Sequence, residues 1–113
     1  MEPNHYADMV NALFKRAGFL EEAEPAMHAA IGISGEAGEL LDSIKKTWAY
    51  NKPIDRKNVI EELGDLEFYM EALRQELSIT REETLIANQA KLAKRYHSGK
   101  YSDQHAQERM DKA

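Results

Sequence analysis

Two acidic pairs carry the clearest chemistry in this chain: Glu36 with Glu39, and Glu62 with Asp65, each three residues apart and separated from one another by residues 40–61. On a helix, that spacing puts both members of a pair on neighbouring positions of one face. Four carboxylates drawn into a small, partly dry cleft cannot all stay ionised without a counter-charge, because repulsion and desolvation put protons on some of them. A divalent cation supplies that charge, and an all-oxygen donor set favours Mg²⁺, with Mn²⁺ as the alternative, over zinc. Mg²⁺ keeps waters and accepts phosphate oxygens as further ligands, which points to a phosphorylated substrate. Asn88, Lys91 and Arg95 follow at helical spacing as an amide and two cations able to neutralise phosphate.

Acidic pairs are common in a chain that is 31% charged, and most are solvated helix faces, so position relative to the core decides. At about 100° per residue, taking Glu62 as zero, Leu73, Leu66, Val59, Leu77 and Met70 fall between about 20° and 80° and Tyr69 near −20°. Glu62 is therefore inside the apolar stripe, with Asp65 about 60° to one side and Glu67, Glu71 and Arg74 on the opposite, more solvated flank. Glu36 likewise borders the stripe of Ile33, Ala37, Leu40, Ile44 and Trp48, and Glu39 lies about 60° beyond it. Asn88 borders Leu85, Leu92 and Tyr96, with Arg95 and Lys91 further round. Packed as a bundle, three such polar edges converge on one cleft.

Gly38 and Gly64 each precede the second acid of a pair, at roughly 1 kcal/mol against Ala in a helix interior. Close helix approach or room for a ligand would compensate. Gly32-x-x-Gly35 has neither the lysine nor the preceding strand of a P-loop and reads as a helix-packing feature. Lys45 and Lys46 fit a solvated face better than a phosphate site. Trp48 and Tyr50 could stack on a base or pack at the helix end. Ser43 has no histidine partner in evidence for nucleophilic chemistry. A di-iron carboxylate bundle calls for repeated Glu-x-x-His pairs, and His28, His97 and His105 do not follow a glutamate at that spacing.

Four helices must position these groups. The first runs from an Asn4 cap to Ala17, burying Tyr6, Met9, Val10, Leu13 and Phe14, and stops at Gly18. The second runs from Pro25 to about Trp48, before the loop Asn51-Lys52-Pro53. Asp55 caps the third, which keeps apolar spacing to Leu77. Thr80 and Glu83 form a capping box for the fourth, which ends near Tyr96 before Gly99. A short helix after Ser102 is compatible with the polar tail, which is either mobile or used in a subunit contact. Composition agrees: Ala, Glu and Leu supply 39 of the 113 residues, whereas Val, Ile and Thr supply 12, so the expected class is all-α.

The net charge of −5 argues against a broad grip on nucleic acid. The absence of cysteine excludes a disulfide framework, a thiolate zinc site and a cysteine nucleophile. No apolar run has the length of a membrane span, and the N-terminus lacks the hydrophobic stretch of a signal peptide, so a soluble, cytoplasmic protein is expected.

Taken together, the motifs resemble those of the MazG-like, all-α nucleoside triphosphate pyrophosphohydrolases. The resemblance rests on Glu36-x-x-Glu39 and Glu62-x-x-Asp65, on Gly32 to Leu40 and Glu61 to Leu66, and on the Asn88-x-x-Lys91-Leu92-x-x-Arg95-Tyr96 segment, with Lys100-Tyr101-Ser102 as a fainter tail. It covers residues 28–102 of a single domain spanning 1–113, with 103–113 as a tail. It implies a four-helix bundle-like fold with an oligomeric helical core, a homodimer or homotetramer. It also implies Mg²⁺-dependent cleavage of the α–β phosphoanhydride of ribo- or deoxyribonucleoside triphosphates. Glu36, Glu39, Glu62 and Asp65 would then be the catalytic metal ligands, with Asn88 nearby and Lys91, Arg95 and Tyr96 on the phosphates. Glu36 or Glu39 would orient the attacking water, and Glu61 would act from behind the ligands. The other readings are a pyrophosphohydrolase for a specialised nucleotide and a non-catalytic helical interaction module.

Overall fold

The computed structural model describes residues 3–14 and 24–112. Among them lie α1 (Pro3–Leu13), α2 (Glu24–Tyr50), α3 (Arg56–Glu76), α4 (Arg81–Arg95), α5 (Asp103–Glu108) and a final 3₁₀ turn at Met110–Lys112, with no strand. The chain is all-α. Its contacts divide it into two compact units, Met1–Ser78 and Ile79–Ala113. The expected end of the first helix at Ala17 and its stop at Gly18 lie outside the described residues, and α1 begins at Pro3, so Asn4 is within it rather than its cap.

In the first unit, α2 and α3 form a hairpin. Asn51 makes the turn with φ 54°, and the Asp55 side chain accepts a hydrogen bond from Asn58 N at 3.1 Å to start α3. Two contacts set the hairpin's register. Asn58 Nδ2 donates to Ser43 Oγ at 2.7 Å near the turn, and Gly32 lies against the Tyr69 ring further away. Four residues on from Gly32 and four back from Tyr69 stand Glu36 and Asp65; four back from Ser43 and four on from Asn58 stand Glu39 and Glu62. Antiparallel pairing at equal rise thus brings the two acidic pairs level with one another.

Among the described residues the core is small: Val10, Phe14, Ala29 and Ala72 are buried, with Tyr6, Phe68, Tyr69 and Leu73 packed against them. Phe14 stacks on His28 at 5.0 Å, and Tyr69 meets His28 and Phe68 edge-on. The sequence reading of α1 holds for Tyr6, Val10 and Phe14 but not for Leu13, which is 66% exposed, or Met9, which lies at the surface. On α3, Leu63 and Leu77 are about half exposed although periodicity puts them in the stripe.

Arg74 corrects the expectation more sharply. Spacing alone assigns it to a solvated flank, yet it is buried, because α1 packs on that side of α3. Its guanidinium is satisfied by Glu67 at 2.9 Å and Glu71 at 3.0 Å, and Gln75 links the same cluster to α1 by donating to Ala7 O at 3.0 Å. A buried charge of this kind is tolerated when its donors are paired.

In the second unit the Thr80 side chain accepts from Glu83 N at 3.0 Å, while Glu83 Oε1 accepts from Thr80 N at 3.2 Å, the reciprocal capping box expected for α4. Gly99 turns the chain with φ 78°. Ser102 then caps α5 by accepting from His105 N at 3.0 Å, so the short helix after Ser102 is present. Arg109 adopts a left-handed conformation, and the Asp111 that follows packs back onto α4. No helix among the described residues is long and apolar enough to cross a membrane.

Candidate active site

Ligand-capable oxygens of Glu36 on α2 and of Glu62 and Asp65 on α3 all lie within 4.8 Å of one another. Two facing helix positions and one turn of α3 account for this: the register sets Glu36 level with Asp65, and i, i+3 spacing places Glu62 beside Asp65. A cation such as Mg²⁺, at about 2.0–2.1 Å from each oxygen, would draw neighbouring ligands to roughly 2.9 Å apart. Bringing oxygens from 4.8 Å to that spacing takes about 1.9 Å at most, a movement that rotations of the carboxylate side chains supply.

The electrostatics of Glu62 fit a bound cation. Its Oε2 is shielded from solvent and has no hydrogen-bond partner. Its carboxyl is held above the usual glutamate range, first by desolvation and then by the negative charges of Asp65, Glu36, Glu39 and Glu61. An orphaned acceptor surrounded by anions lacks a positive partner, and a cation held by these oxygen donors would provide it.

Glu39 stands outside the three-residue group. It is exposed and acts on Glu62 through its charge. Glu61, also exposed, acts in the same way. Gly35, Gly38 and Gly64 face open space, since a Cβ at any of them would meet nothing within 4 Å. Close helix approach within the chain therefore explains Gly32, but not these three. Lys46 pairs with Asp42 at 3.6 Å along α2 and, with Lys52, Ser43 and Thr47, lines an open depression of about 500 Å³ beside the hairpin turn. Trp48 is 84% exposed and Tyr50 is exposed too, so neither packs into a core at the end of α2.

The phosphate-binding candidates all belong to α4 and its C-terminal cap. Asn88 and Lys91 are exposed. Arg95 is engaged: its Nε and Nη2 donate to the two carboxylate oxygens of Asp111 at 3.1 and 3.3 Å. Arg109 grips the same carboxylate, with both contacts at 3.1 Å. These hydrogen bonds hold the Asp111 carboxyl far below the usual aspartate range and raise Arg95. Tyr96 stacks at a tilt on Tyr101, 5.6 Å between ring centres, beside a shallow cleft that both line with Leu92 and Lys100. Sequence spacing does not reveal the Arg95–Asp111 clasp, because Asp111 lies beyond two turns of chain; its signal is only the Arg-x-Asp pair at 109 and 111.

Comparison with known proteins adds a family. A family model described as the MazG nucleotide pyrophosphohydrolase domain matches residues 27–99, a span that contains both acidic pairs and the Asn88–Tyr96 segment. No curated protein and no solved structure matches the chain significantly.

Proposed function

Because the chain belongs to the family of MazG nucleotide pyrophosphohydrolase domains, we propose that it hydrolyses the α–β phosphoanhydride of a nucleoside triphosphate, releasing the monophosphate and pyrophosphate. The observation that carries this reading is the oxygen group of Glu36, Glu62 and Asp65, one of whose residues, Glu62, has a shielded Oε2 without a partner. These three residues would hold Mg²⁺, which when bound polarises phosphate oxygens and offsets the charge that builds as the anhydride breaks.

The remaining work falls to side chains. Glu39, outside the group of three and exposed, is the carboxylate left to orient the attacking water and take its proton. The open space at Gly38 and Gly64 leaves room for phosphate next to the acids. Lys91, with Asn88 and Tyr96, would neutralise and orient the polyphosphate, whereas Arg95 reaches an anion only by exchanging Asp111 for it. Trp48, exposed near the end of α2, is the candidate surface for a base.

The working unit in this reading is a homodimer or homotetramer. Large apolar residues stay exposed in the single chain, Ile31 and Leu41 on α2 and, separately, Leu85 and Ile86 on α4, and such apolar exposure supports burial between subunits.

The test incubates pure protein with a panel of ribo- and deoxyribonucleoside triphosphates, with Mg²⁺ or with chelator, and separates monophosphate, diphosphate, phosphate and pyrophosphate. Metal-dependent monophosphate with equimolar pyrophosphate is the expected result. Release of diphosphate and phosphate refutes the cleavage position. No turnover of any nucleotide by folded protein refutes the reaction and favours a binding module.

A further inference from the structure

The second unit carries another group of ligand-capable atoms, chemically unlike the acids on α2 and α3. His97, in the turn after α4, and His105 and Glu108, on α5, place one donor atom each within 4.8 Å of one another. The two imidazole rings lie 4.0 Å apart between centres and are tilted by 39°. We propose that these three residues form a site for a borderline divalent cation, Zn²⁺ or a metal of similar preference.

Three observations support the assignment. First, two imidazoles and one carboxylate are the donor set that zinc, cobalt and nickel accept and that Mg²⁺ and Ca²⁺ disfavour. Second, His105 Nδ1 is shielded from solvent without a hydrogen-bond partner. Ligation through Nδ1 would give that orphan its partner. Third, Gln104 Nε2 donates to Glu108 Oε1 at 2.7 Å, so one carboxylate oxygen is already held by a neighbour while the other is available to a cation.

The geometry needs little adjustment. Tetrahedral Zn²⁺ with bonds of about 2.0–2.1 Å sets its donors roughly 3.4 Å apart. The rings and carboxylate must therefore close by about 1.4 Å at most, within reach of rotamer adjustments in the exposed His97 and Glu108. Three protein ligands leave a fourth position for water or another donor. A bound ion would fasten α5 to the turn that ends α4, joining elements that short local contacts otherwise hold.

The experiment uses the untagged full chain, stripped of metal and then kept in excess Mg²⁺ so that the acidic group is satisfied. Zn²⁺ is titrated in competition with a chromophoric chelator, and Co²⁺ is added separately to read its visible absorption. One equivalent of Zn²⁺ per chain is expected, with an intense Co²⁺ band typical of a low-coordinate nitrogen and oxygen site. His97→Ala, at an exposed position, and Glu108→Gln should each weaken Zn²⁺ at least about 10-fold with the helical spectrum unchanged. Glu62→Gln should leave Zn²⁺ affinity unchanged. Unaltered affinity in His97→Ala, no measurable binding, or loss in Glu62→Gln instead would each overturn the proposal. None of these results depends on nucleotide turnover.

Discussion

The helix glycines offer a test in which the structure sets opposite signs for similar substitutions. At Gly38 and Gly64 an added Cβ meets nothing within 4 Å, so Ala gains only its helix preference, about 1 kcal/mol at each position. At about 4–8 °C per kcal/mol for a domain near this size, each variant should melt several degrees higher. Gly32 differs because a Cβ there would stand 2.5 Å from Tyr69 Cγ and Cε1. Ordinary carbon contact needs about 3.5 Å, so the ring must give roughly 1 Å. Phe68 and His28 hold that ring edge-on from two directions. Overpacking of this kind costs about 1–3 kcal/mol, which cancels or exceeds the helix gain. Gly32→Ala should therefore melt at or below the parent, while Gly38→Ala and Gly64→Ala melt above it.

The assay is thermal unfolding followed by circular dichroism at one protein concentration, run with chelator so that metal does not contribute. Turnover is then measured on the same preparations. Because the two open glycines adjoin Glu39 and Asp65, their stabilised variants should lose activity if the space serves substrate. Stabilisation of Gly32→Ala equal to the others would refute the Tyr69 contact. Destabilisation of Gly38→Ala or Gly64→Ala would refute the open-space account, because a Cβ would then be meeting a surface that the single chain does not contain.

Glu62→Gln should not lower the metal-free melting temperature: a folded-state pKa raised above 4.5 means that the ionised carboxylate opposes folding at neutral pH, and Gln removes that charge. The same variant should lose at least about 10–100-fold in Mg²⁺ affinity by calorimetry, and an unchanged affinity would remove Glu62 from the metal group. Glu71→Ala should cost about 1–3 kcal/mol in urea unfolding, since it strips one partner from the buried Arg74 and a second from Gln75; a neutral result would mean the cluster adds nothing to folding. Asp111 has a depressed folded-state pKa, so its contribution is present above its ordinary value of 3.8 and is lost as pH falls below that toward the lower folded value. Carboxyl chemical shifts should show it still ionised when exposed carboxylates are half protonated, and titration near 3.8 would dissolve the Arg95–Arg109 clasp. Light scattering should give a mass of at least two chains that Ile31→Asp reduces, and a monomeric parent would end the oligomer proposal.

The starts of α3, α4 and α5 were readable because capping is local chemistry, whereas the Asn4 cap expected for the first helix was not found. Asp55, Thr80 with Glu83, and Ser102 each bond to an amide three residues on, and no distant part of the chain decides that. Burial was less readable. Periodicity identified the apolar side of α3, but it could not say that α1 would cover the flank carrying Arg74 or leave Leu63 and Leu77 half exposed. For the candidate site, spacing identified the acids, and the hairpin's register brings three of them into one group. Glu39 shows the limit of spacing: the same i, i+3 interval puts Asp65 in that group and leaves Glu39 outside it. The His97, His105 and Glu108 group went unread because its members meet only after Gly99 and Ser102 have turned the chain back.

The two sides of α2 explain why so small a core goes with so long a helix. Ala29, Gly32, Ser43 and Glu36 lie within about 60° of one another around the helix, and this is the side that meets α3. Met27, Ile31, Leu41, Ile44 and Trp48 spread over the other side and are exposed, by 38% at Ile44 and 84% at Trp48. A helix that is apolar on both sides is stable in water only when both are covered. Glu36 and Glu62, both partly buried, sit along that seam, where their positions depend on how firmly α2 is held against α3. Covering the outer side would brace the same helix from behind, so a partner surface on α2 would act on the spacing of the carboxylates without touching them. Metal affinity and subunit association should then be linked through one element, with Mg²⁺ strengthening the assembly by the factor that assembly strengthens Mg²⁺.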